Sequence, residues 1–388
     1  MVAANTVLLQ ASGPNAAYNT RAGVITADSF GMISCPAYGI ELQDLIASGC
    51  VVQGFPAFSF ANFKNLVDGG DFQNNPWQRG NSITGITNSV TYGPDRFFAI
   101  GGASSSISLV KTANTQIAGF TQACAFGRAA NNTDTAAINF GQVVESLDSF
   151  KAAGQPIVLS FYAIAGANYS GGQATVQINS GTAVDGTAAN LITNAWTGNA
   201  ILGTAGFTPT TTPQRFNISI PLVPAASKQL GFFFSYVGSG TAGAADNILF
   251  NGIQLEIGEQ VTPFEFRDAE VELALAQRYF FQINEPAAGV VIAPGAWTGA
   301  SKQTFFIPLP VQMRTAPSVT VSAGSMVQTQ PLGTTTAVSS FAAGTTHTAN
   351  YISVTSSVTG GSTPGTAGQS VLLQGAGGPG TIKATADY

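Results

Sequence analysis

Short apolar segments, separated by loops rich in glycine, serine, threonine and asparagine, recur along most of this chain. In the segment 216–222 (FNISIPL) every second residue is apolar, a period that is typical of a strand with one buried face. The segments 157–164 (IVLSFYAI) and 231–237 (GFFFSYV) are apolar almost throughout, as expected of strands in the middle of a sandwich. Because no helical periodicity separates these segments, the pattern predicts an all-β fold, an antiparallel β-sandwich or jelly roll.

Composition divides the chain into three predicted units. Residues 1–60 are predicted to form a small αβ unit, with a hairpin in 24–34 (VITADSFGMIS) and a helix in 40–49 (IELQDLIASG). This unit is too short to bury much core of its own, which indicates an anchor that docks on something larger. Residues 61–284 are predicted to be the jelly-roll domain, and residues 285–388 a second, C-terminal β-sandwich-like domain.

One short helix is predicted to interrupt the β pattern, over 268–283 (DAEVELALAQRYFFQI). Val271, Leu275 and Tyr279 would lie on one face of this helix, since they are spaced four residues apart. Asp268 stands at the position where a helix N-cap is expected.

Charged side chains are scarce. They make up 9% of the 388 residues, where an ordinary soluble domain carries roughly 25%. The 14 lysines and arginines are scattered singly, so the chain lacks the basic stripe that nucleic-acid binding requires. No apolar run approaches the roughly 20 residues of a membrane-spanning helix. We therefore expect neither nucleic-acid binding nor membrane insertion.

Cysteine and histidine are too few and too dispersed to indicate a metal site or a nucleophile. Cys35, Cys50, Cys124 and the single histidine, His347, do not have the clustered spacing of a zinc site. No carboxylate lies near His347 in the chain to build a catalytic triad. The odd number of cysteines without a CxxC motif fits reduced thiols, while a Cys35–Cys50 disulfide stays open. The prediction is no cofactor and no metal.

Seven of the 19 acidic residues fall between Glu256 and Glu285, and a pair of carboxylates is what a glycosidase needs. Three of the seven (Asp268, Glu270 and Glu272) lie at the start of the predicted helix, where the helix dipole favours negative charge. Two more flank a predicted strand, where solvation explains them. We therefore predict a structural role for these carboxylates, no catalytic residue and no enzymatic activity.

The C-terminal unit is almost free of charge. Residues 315–382 are 68 consecutive positions without lysine, arginine, aspartate or glutamate. Monomeric domains normally keep charge on their surfaces, whereas charge is depleted in the cores of interfaces. Either threonine and serine side chains solvate this domain, or the domain covers much of its surface with copies of itself. We favour the oligomer.

Four segments of the chain resemble bacteriophage virion fibre proteins. They are, in the order of that family, 65–80 (NLVDGGDFQNNPWQRG), 92–97 (YGPDRF), 251–280 (NGIQLEIGEQVTPFEFRDAEVELALAQRYF) and 313–322 (MRTAPSVTVS). In that family the first two segments begin a jelly-roll module, the third closes it, and a β domain follows. The third segment is the specific one, although Ala276 stands where the family often has cysteine.

The resemblance implies a structural role for a set of motif residues: Asp95, Arg96, Glu256, Pro263, Phe264, Glu265, Arg267, Gln277, Arg278 and Tyr279. Pro263 fixes the backbone between the last strand and the helix, and Phe264 is expected to pin the helix entrance to the sandwich. We also expect Arg267 or Arg278 to pair with Glu256, Glu265 or Glu270, a contact that is worth little if it is exposed.

The function that the resemblance implies is that of a structural protein on the surface of a phage particle, assembled in the host cytoplasm, with a carbohydrate-binding-like sandwich. We expect a homotrimeric fibre whose N-terminal unit binds other virion proteins of the capsid or tail. Its β domains would project outward and contribute to attachment to host glycans. The glycan-binding candidates are aromatic residues in loops, Tyr169, Trp196 and Trp297. Packing in a local core explains each of them at least as well, and a contact between copies of the chain is a third interpretation.

Two alternatives remain open at this point. One is a head fibre or capsid decoration protein with a purely structural role, since head and tail proteins share such modules. The other, less favoured, is a capsule-degrading glycosidase, which would be expected to show a repeat-built β-helix or a marked carboxylate cleft.

Overall fold

The computed structural model describes residues 64–388 except 115, 300, 323–326, 330–334, 338–339, 358–365 and 376, and before residue 64 it describes five short strands. The chain forms two compact units, Met1–Lys64 and Asn65–Tyr388. The division of the second unit at residues 284 and 285 stays a prediction.

The strands of the first unit are β1 Thr6–Gln10, β2 Ala17–Thr20, β3 Gly23–Thr26, β4 Met32–Pro36 and β5 Val51–Gln53. Strand β1 lies between β4 and β5 in an antiparallel sheet, and β2 forms a hairpin with β3. The predicted hairpin over 24–34 is therefore wrong, because β3 and β4 each pair with an earlier strand instead of with each other. The helix predicted over 40–49 lies outside the described residues.

The second unit begins with an antiparallel β-sandwich, which confirms the predicted fold class. Its strands are β6 Ser82–Ile86, β7 Thr91–Tyr92, β8 Phe97–Ile100, β9 Ile107–Ala113, β10 Gln122–Arg128, β11 Ile138–Val144, β12 Ile157–Ala165, β13 Ala174–Gly181, β14 Ala200–Phe207, β15 Gln214–Ile220, β16 Gln229–Tyr236 and β17 Asn247–Ile257. One sheet has the order β15-β12-β17-β10-β9-β6, and we call it the first sheet. The second sheet has the order β14-β13-β16-β11-β8-β7.

The core of the sandwich is a stack of phenylalanine rings between the two sheets. Phe234 of the second sheet stacks on Phe250 of the first with 4.4 Å between ring centroids, and Phe140 stacks on Phe126 at 5.3 Å. Aromatic side chains bury a large apolar area each, so they supply much of the burial that stabilises the fold. The strands predicted at 157–164 and 231–237 are confirmed as β12 and β16.

The second unit contains the short helices α1 Ser146–Ser149, α2 Ala188–Ile192 and α3 Ala269–Gln277, with a 3-10 turn at Phe150–Ala152. The helix predicted over 268–283 exists as α3 but ends six residues earlier than predicted. The next residues, from Phe280 onward, pair with a strand near the end of the chain, and this pairing overrides the helical pattern. Asp268 occupies the N-cap position but makes no side-chain capping hydrogen bond.

Ten further strands form the C-terminal part of the second unit: β18 Phe280–Asn284, β19 Val291–Trp297, β20 Lys302–Pro308, β21 Ser318–Ser322, β22 Val327–Thr329, β23 Thr335–Ala337, β24 Ser340–Ala343, β25 Tyr351–Ser357, β26 Ser370–Gln374 and β27 Thr381–Thr385. They make an antiparallel sheet of three strands, β18-β27-β21, and one of seven, β23-β22-β26-β19-β20-β25-β24. A second core, which includes Trp297, Phe305 and Ile352, lies in this part of the chain.

Among the described residues, no helix has the length and apolar character needed to cross a membrane. Cys124 is a free, buried cysteine in β10, and burial raises the pKa of its thiol well above the ordinary value. The side chains of Cys35 and Cys50 lie outside the described part of the structure.

Candidate glycan-binding face

The three predicted glycan-binding residues lie in three separate places. Trp196 is only 5% exposed and donates a hydrogen bond from its indole Nε1 to the carbonyl oxygen of Thr187. Trp297 is 2% exposed in the C-terminal core. Tyr169 is half-buried and packs edge-on against Tyr236, with 5.1 Å between ring centroids. These side chains fill local cores in the structure, and their contact with glycans stays a prediction.

A different group of polar side chains gathers on the outer face of the second sheet. Val176 and Ile178 of β13 point into the sandwich core, so Thr175, Gln177 and Asn179 point away from it. Strands β16 and β11 contribute Ser235 and Asn139 to the same outer face in the same way. The register places Thr175 opposite Ser235 and Ser235 opposite Asn139, so these three residues form one row across three strands.

The amides on this face are connected by hydrogen bonds to the loop that follows α2. The side-chain Oδ1 of Asn194 accepts from Gln177 Nε2 and from Asn179 Nδ2, both at 2.7 Å. Asn179 Nδ2 also donates to Asn199 Oδ1 at 3.0 Å. We call the group of Asn139, Thr175, Gln177, Asn179, Asn194, Asn199 and Ser235 the amide shelf.

The shelf keeps hydrogen-bonding groups available at its surface. An amide side chain has two donor hydrogens and one acceptor oxygen. In the described part of the chain, Gln177 Oε1 accepts no hydrogen bond and Asn194 Nδ2 donates none, while both side chains reach solvent. The shelf therefore presents an acceptor and a donor side by side, held in place by bonds that use the other ends of the same amides.

The segment between β13 and β14 holds the shelf in position. Its α2 helix and the following turn cover part of the outer face, where Leu191 and Trp196 pack over Gly231 of β16. A Cβ atom at Gly231 would lie 2.6 Å from the Trp196 ring, so only glycine lets this segment approach so closely. Asn194 has a φ of 56°, a left-handed conformation that asparagine tolerates better than most residues.

The motif segment 259–267 crosses the outer face of the first sheet and is tied to it. Glu256 accepts hydrogen bonds from the backbone nitrogen of Thr262 at 2.9 Å and from its hydroxyl at 2.6 Å. The carbonyl oxygen of Pro263 lies 3.4 Å from the side-chain nitrogen of Gln254. Phe264 packs edge-on against Phe120 at 5.3 Å between ring centroids, as expected of a residue that pins this segment.

The end of the motif segment is joined to residues near the start of the sandwich. Glu265 accepts a hydrogen bond from the backbone nitrogen of Asn65 at 2.8 Å. Arg267 lies 3.3 Å from Asp68 and 3.5 Å from Glu272, and it is 3.7 Å from Glu265. The predicted pairing of Arg267 with Glu265 is therefore present, although Asp68 is the nearer partner.

Asp95, Arg96, Arg278 and Tyr279 meet where the sandwich adjoins the C-terminal strands. The guanidinium of Arg96 lies 3.4 Å from the centre of the Tyr279 ring, and Asp95 accepts from the backbone nitrogen of Gln78 at 2.7 Å. Arg278 pairs with Glu145, a partner that the sequence did not indicate because the two residues are 133 positions apart. Gln277 is half-buried at the end of α3.

The contacts at this junction change the pKa values of Glu145 and Tyr279. Burial alone would raise the pKa of the Glu145 carboxyl, but hydrogen bonds from Arg278 and Tyr279 stabilise the carboxylate and bring its pKa below the ordinary value. For Tyr279, burial dominates and raises the pKa of the phenol. The side chains of Arg278 and Tyr279 thus bond to the Glu145 carboxylate, which is the arrangement expected of a structural contact.

Three of the carboxylates between Glu256 and Glu285 are bonded to the backbone of the fold. Glu256, Glu265 and Glu272 each accept a hydrogen bond from a backbone nitrogen of another segment. Across the described residues, no group of three or more His, Cys, Asp and Glu side chains is placed to hold a metal ion.

Comparisons with known proteins give likenesses in fold to solved structures of low sequence identity. No protein family matches its sequence, and no curated protein matches it either. Among solved structures it is similar to the enzymatically active domain of tailspike protein 4 of bacteriophage CBA120, with 15% identity, a TM-score of 0.30 and 50% of this chain covered. The match spans 21% of that tailspike chain.

Two carbohydrate-binding modules show a similar degree of likeness. A CBM4 structure is 16% identical with a TM-score of 0.30, and the match covers 48% of this chain and 98% of the module. The CBM22-2 xylan-binding domain of Xyn10C from Paenibacillus barcinonensis is 8% identical with a TM-score of 0.27, covering 50% of this chain and 99% of that domain. Likenesses at these scores do not indicate what this chain binds.

Proposed function

We propose that this chain is a non-catalytic subunit of a bacteriophage surface fibre and that it binds glycans on the host surface. The observation that carries the proposal is the amide shelf, where Gln177 and Asn194 present an acceptor and a donor next to each other on a sheet face. Sugar hydroxyls each donate and accept hydrogen bonds, so an adjacent donor and acceptor match them. Sites for small ligands typically use a few polar groups that the surrounding fold holds in fixed positions.

The virion role is supported by the resemblance to phage fibre proteins and by the use that the fold makes of the motif. Residues of the motif, from Asp95 to Tyr279, tie the sandwich together and join it to the C-terminal strands. In this proposal the N-terminal unit binds another virion protein, and the β domains project outward to reach the host surface.

Self-association into a homotrimer is part of the proposal. The outward-facing side of the seven-stranded sheet carries Pro294 and Leu372 opposite each other, and Phe306 lies two strands from Leu372. Phe306 is 51% exposed and contacts Tyr351. Strands β22 to β26 lie within residues 315–382 and contain no charge, so they would bring no like charges together between two copies. In β20, Lys302 shares the exposed side with Phe306.

The glycan-binding role is tested on an array of host-surface glycans with the full chain. We expect binding by the wild type and loss of binding in the double variant Gln177→Ala/Asn194→Gly, which keeps a residue suited to the left-handed backbone at 194. Gln214→Ala, which removes an exposed amide from the first sheet, is the matched control and should bind like the wild type. Melting temperatures of all three proteins report whether the fold is intact.

If the wild type binds no glycan on the array, the proposed attachment to host glycans is wrong. The alternative of a purely structural decoration protein then takes its place. The virion role is tested separately, by labelling phage particles with an antibody raised against the chain and imaging them. Label on distal fibres is expected. Label on the capsid would assign the chain to the head, and particles without label would overturn the virion role.

A further inference from the structure

We infer that the amide shelf selects neutral glycans over acidic ones. This inference rests on the proposed glycan-attaching function and names the class of ligand that the shelf takes. It follows from how charge is distributed between the two sheets of the sandwich.

The six strands of the second sheet (β7, β8, β11, β13, β14 and β16) contain no lysine, arginine, aspartate or glutamate. Four strands of the first sheet do contain charge: Lys111 in β9, Arg128 in β10, Arg215 in β15 and Glu256 in β17. Both sheets belong to one sandwich and have similar lengths, so the low charge of the whole chain does not explain the contrast. The strands of the sheet that carries the shelf are therefore free of charged residues, unlike those of the first sheet.

The segment that borders the shelf adds no free charge. Between Gly181 and Ala200 the only charged residue is Asp185, and its carboxylate pairs with Arg314 at 2.8 Å. Lys228 precedes β16. It is three residues from Gly231, the residue opposite Asn179, and five from Phe233, the residue opposite Gln177. At about 3.3 Å a residue these separations are roughly 10 and 16 Å along the strand, both beyond the screening length of about 8 Å at physiological salt.

The other described cations close to the second sheet are also paired with acidic residues. Arg96, which precedes β8, lies 3.1 Å from Asp68, and Arg79, over the Tyr92 ring of β7, lies 3.2 Å from Asp95.

The third is Arg128, which lies near the end of β16. Arg128 donates to the carboxylate of Asp246 at 2.6 Å and to the carbonyl oxygens of Ser239 and Gly240 at 3.0 Å, and its side chain is almost completely buried. Its positive charge is therefore neutralised inside the protein. Nothing in this arrangement leaves a cation free to meet a ligand on the shelf.

These facts decide between two classes of sugar. A uronic acid, a sialic acid or a phosphorylated sugar brings an anion that loses part of its water shell on binding, and this loss is costly unless a cation or several donors replace the water. A neutral sugar brings hydroxyl groups, whose paired donors and acceptors match Gln177 Oε1 and Asn194 Nδ2. The shelf is therefore suited to hydroxyl groups and unsuited to carboxylates.

The test compares matched glycans, one neutral and one carrying a sialic or uronic acid on the same core, for binding to the full chain at 0.15 and 0.5 M NaCl. We expect the neutral glycan to bind at least about tenfold more tightly and its affinity to change little with salt, since salt weakens mainly interactions between charges. Equal or tighter binding of the acidic glycan, weakened by salt, would overturn the inference.

A variant with an added charge provides a second measurement. Thr175→Lys places an ammonium group in the row beside Ser235, and it is expected to raise affinity for the acidic glycan while leaving the melting temperature close to that of the wild type. If this variant prefers the neutral glycan as strongly as the wild type does, the shelf is not the place where the protein distinguishes acidic from neutral glycans.

The outcomes separate this inference from the proposed function. If acidic glycans bind best and Gln177→Ala/Asn194→Gly abolishes that binding, the shelf is still the attachment site and only its selectivity has been misjudged. If neither class of glycan binds, the proposed function itself is wrong.

Discussion

Arg278 and Glu145 form a two-point ion pair that joins the end of α3 to the residue before α1. Arg278 Nη2 lies 2.6 Å from Glu145 Oε1, and Nε lies 2.8 Å from Oε2. The hydroxyl of Tyr279 donates to the same carboxylate. Parallel bonds of this kind fix the relative orientation of the two groups as well as their distance. The closing segment of the sandwich is thereby held against the residues that follow β11.

Replacing Arg278 with alanine should destabilise the protein by about 2–4 kcal/mol, because the mostly buried Glu145 carboxylate would lose its cation. The matched control is Lys151→Ala. It breaks the exposed ion pair with Asp148 and should cost no more than about 1 kcal/mol. Urea unfolding of the two variants measures the difference, and similar losses would contradict the role given to Arg278.

The sequence predicted the strands well and their partners poorly. Alternation and apolar runs are local properties, so β12 and β16 could be predicted from a few residues each. The choice of partner depends on the whole chain, which explains why the hairpin over 24–34 is wrong and why the pairing of Phe280–Asn284 with Thr381–Thr385 was missed. The ion pair of Arg278 with Glu145 escaped prediction for the same reason.

The candidate site was harder still to predict. Aromatic residues in polar loops suggested Trp196, but its indole is used to pack the segment between β13 and β14 against the sheet. The alternation of β13 could have indicated that Gln177 and Asn179 share the outer face. That Asn194 joins them depends on a left-handed turn after α2, which no local pattern in the sequence specifies.

Gly231 should tolerate no side chain. Gly231→Ala would bring a Cβ atom to 2.6 Å from the Trp196 ring and 2.8 Å from Leu191, and such overpacking typically costs about 1–3 kcal/mol. Gly299→Ala is the control, since a Cβ atom there would meet nothing within 4 Å. Thermal unfolding should show a lower Tm for the first variant only. Adding Leu191→Ala should restore part of the loss, and no recovery would argue against the contact.

The exposed Phe306 should be needed for self-association. Phe306→Asp would place a carboxylate on the outer side of the seven-stranded sheet in each copy, so copies that associate through this side, as proposed, would repel one another there. Sedimentation velocity is expected to show an oligomer for the wild type and smaller species for the variant. Phe150→Asp, at a residue that is 71% exposed on the sandwich, is the control and should leave the oligomer unchanged. A monomeric wild type would refute the trimer.

Glu272 should make the protein less stable as the pH rises. Burial, together with the nearby carboxylates of Asp68 and Asp71, raises the pKa of Glu272 to about 8, although Arg267 and the backbone nitrogen of Gly69 act in the opposite direction. In the unfolded chain a glutamate titrates near 4.3. Between these two values the folded protein binds a proton that the unfolded chain does not.

The contribution of Glu272 to the free energy of unfolding is therefore fully present below about pH 4.3 and is lost as the pH rises through about 8. Glu272→Gln resembles the protonated side chain at every pH and escapes this loss. Urea unfolding between pH 5 and 8.5 should show the variant gaining stability relative to the wild type as the pH increases. Other carboxylates titrate in both proteins, so the difference between the two curves isolates Glu272. Glu270→Gln, on the exposed side of α3, is the control. If the stability curves of the wild type and of Glu272→Gln stay parallel across this pH range, Glu272 is already ionised in the folded protein.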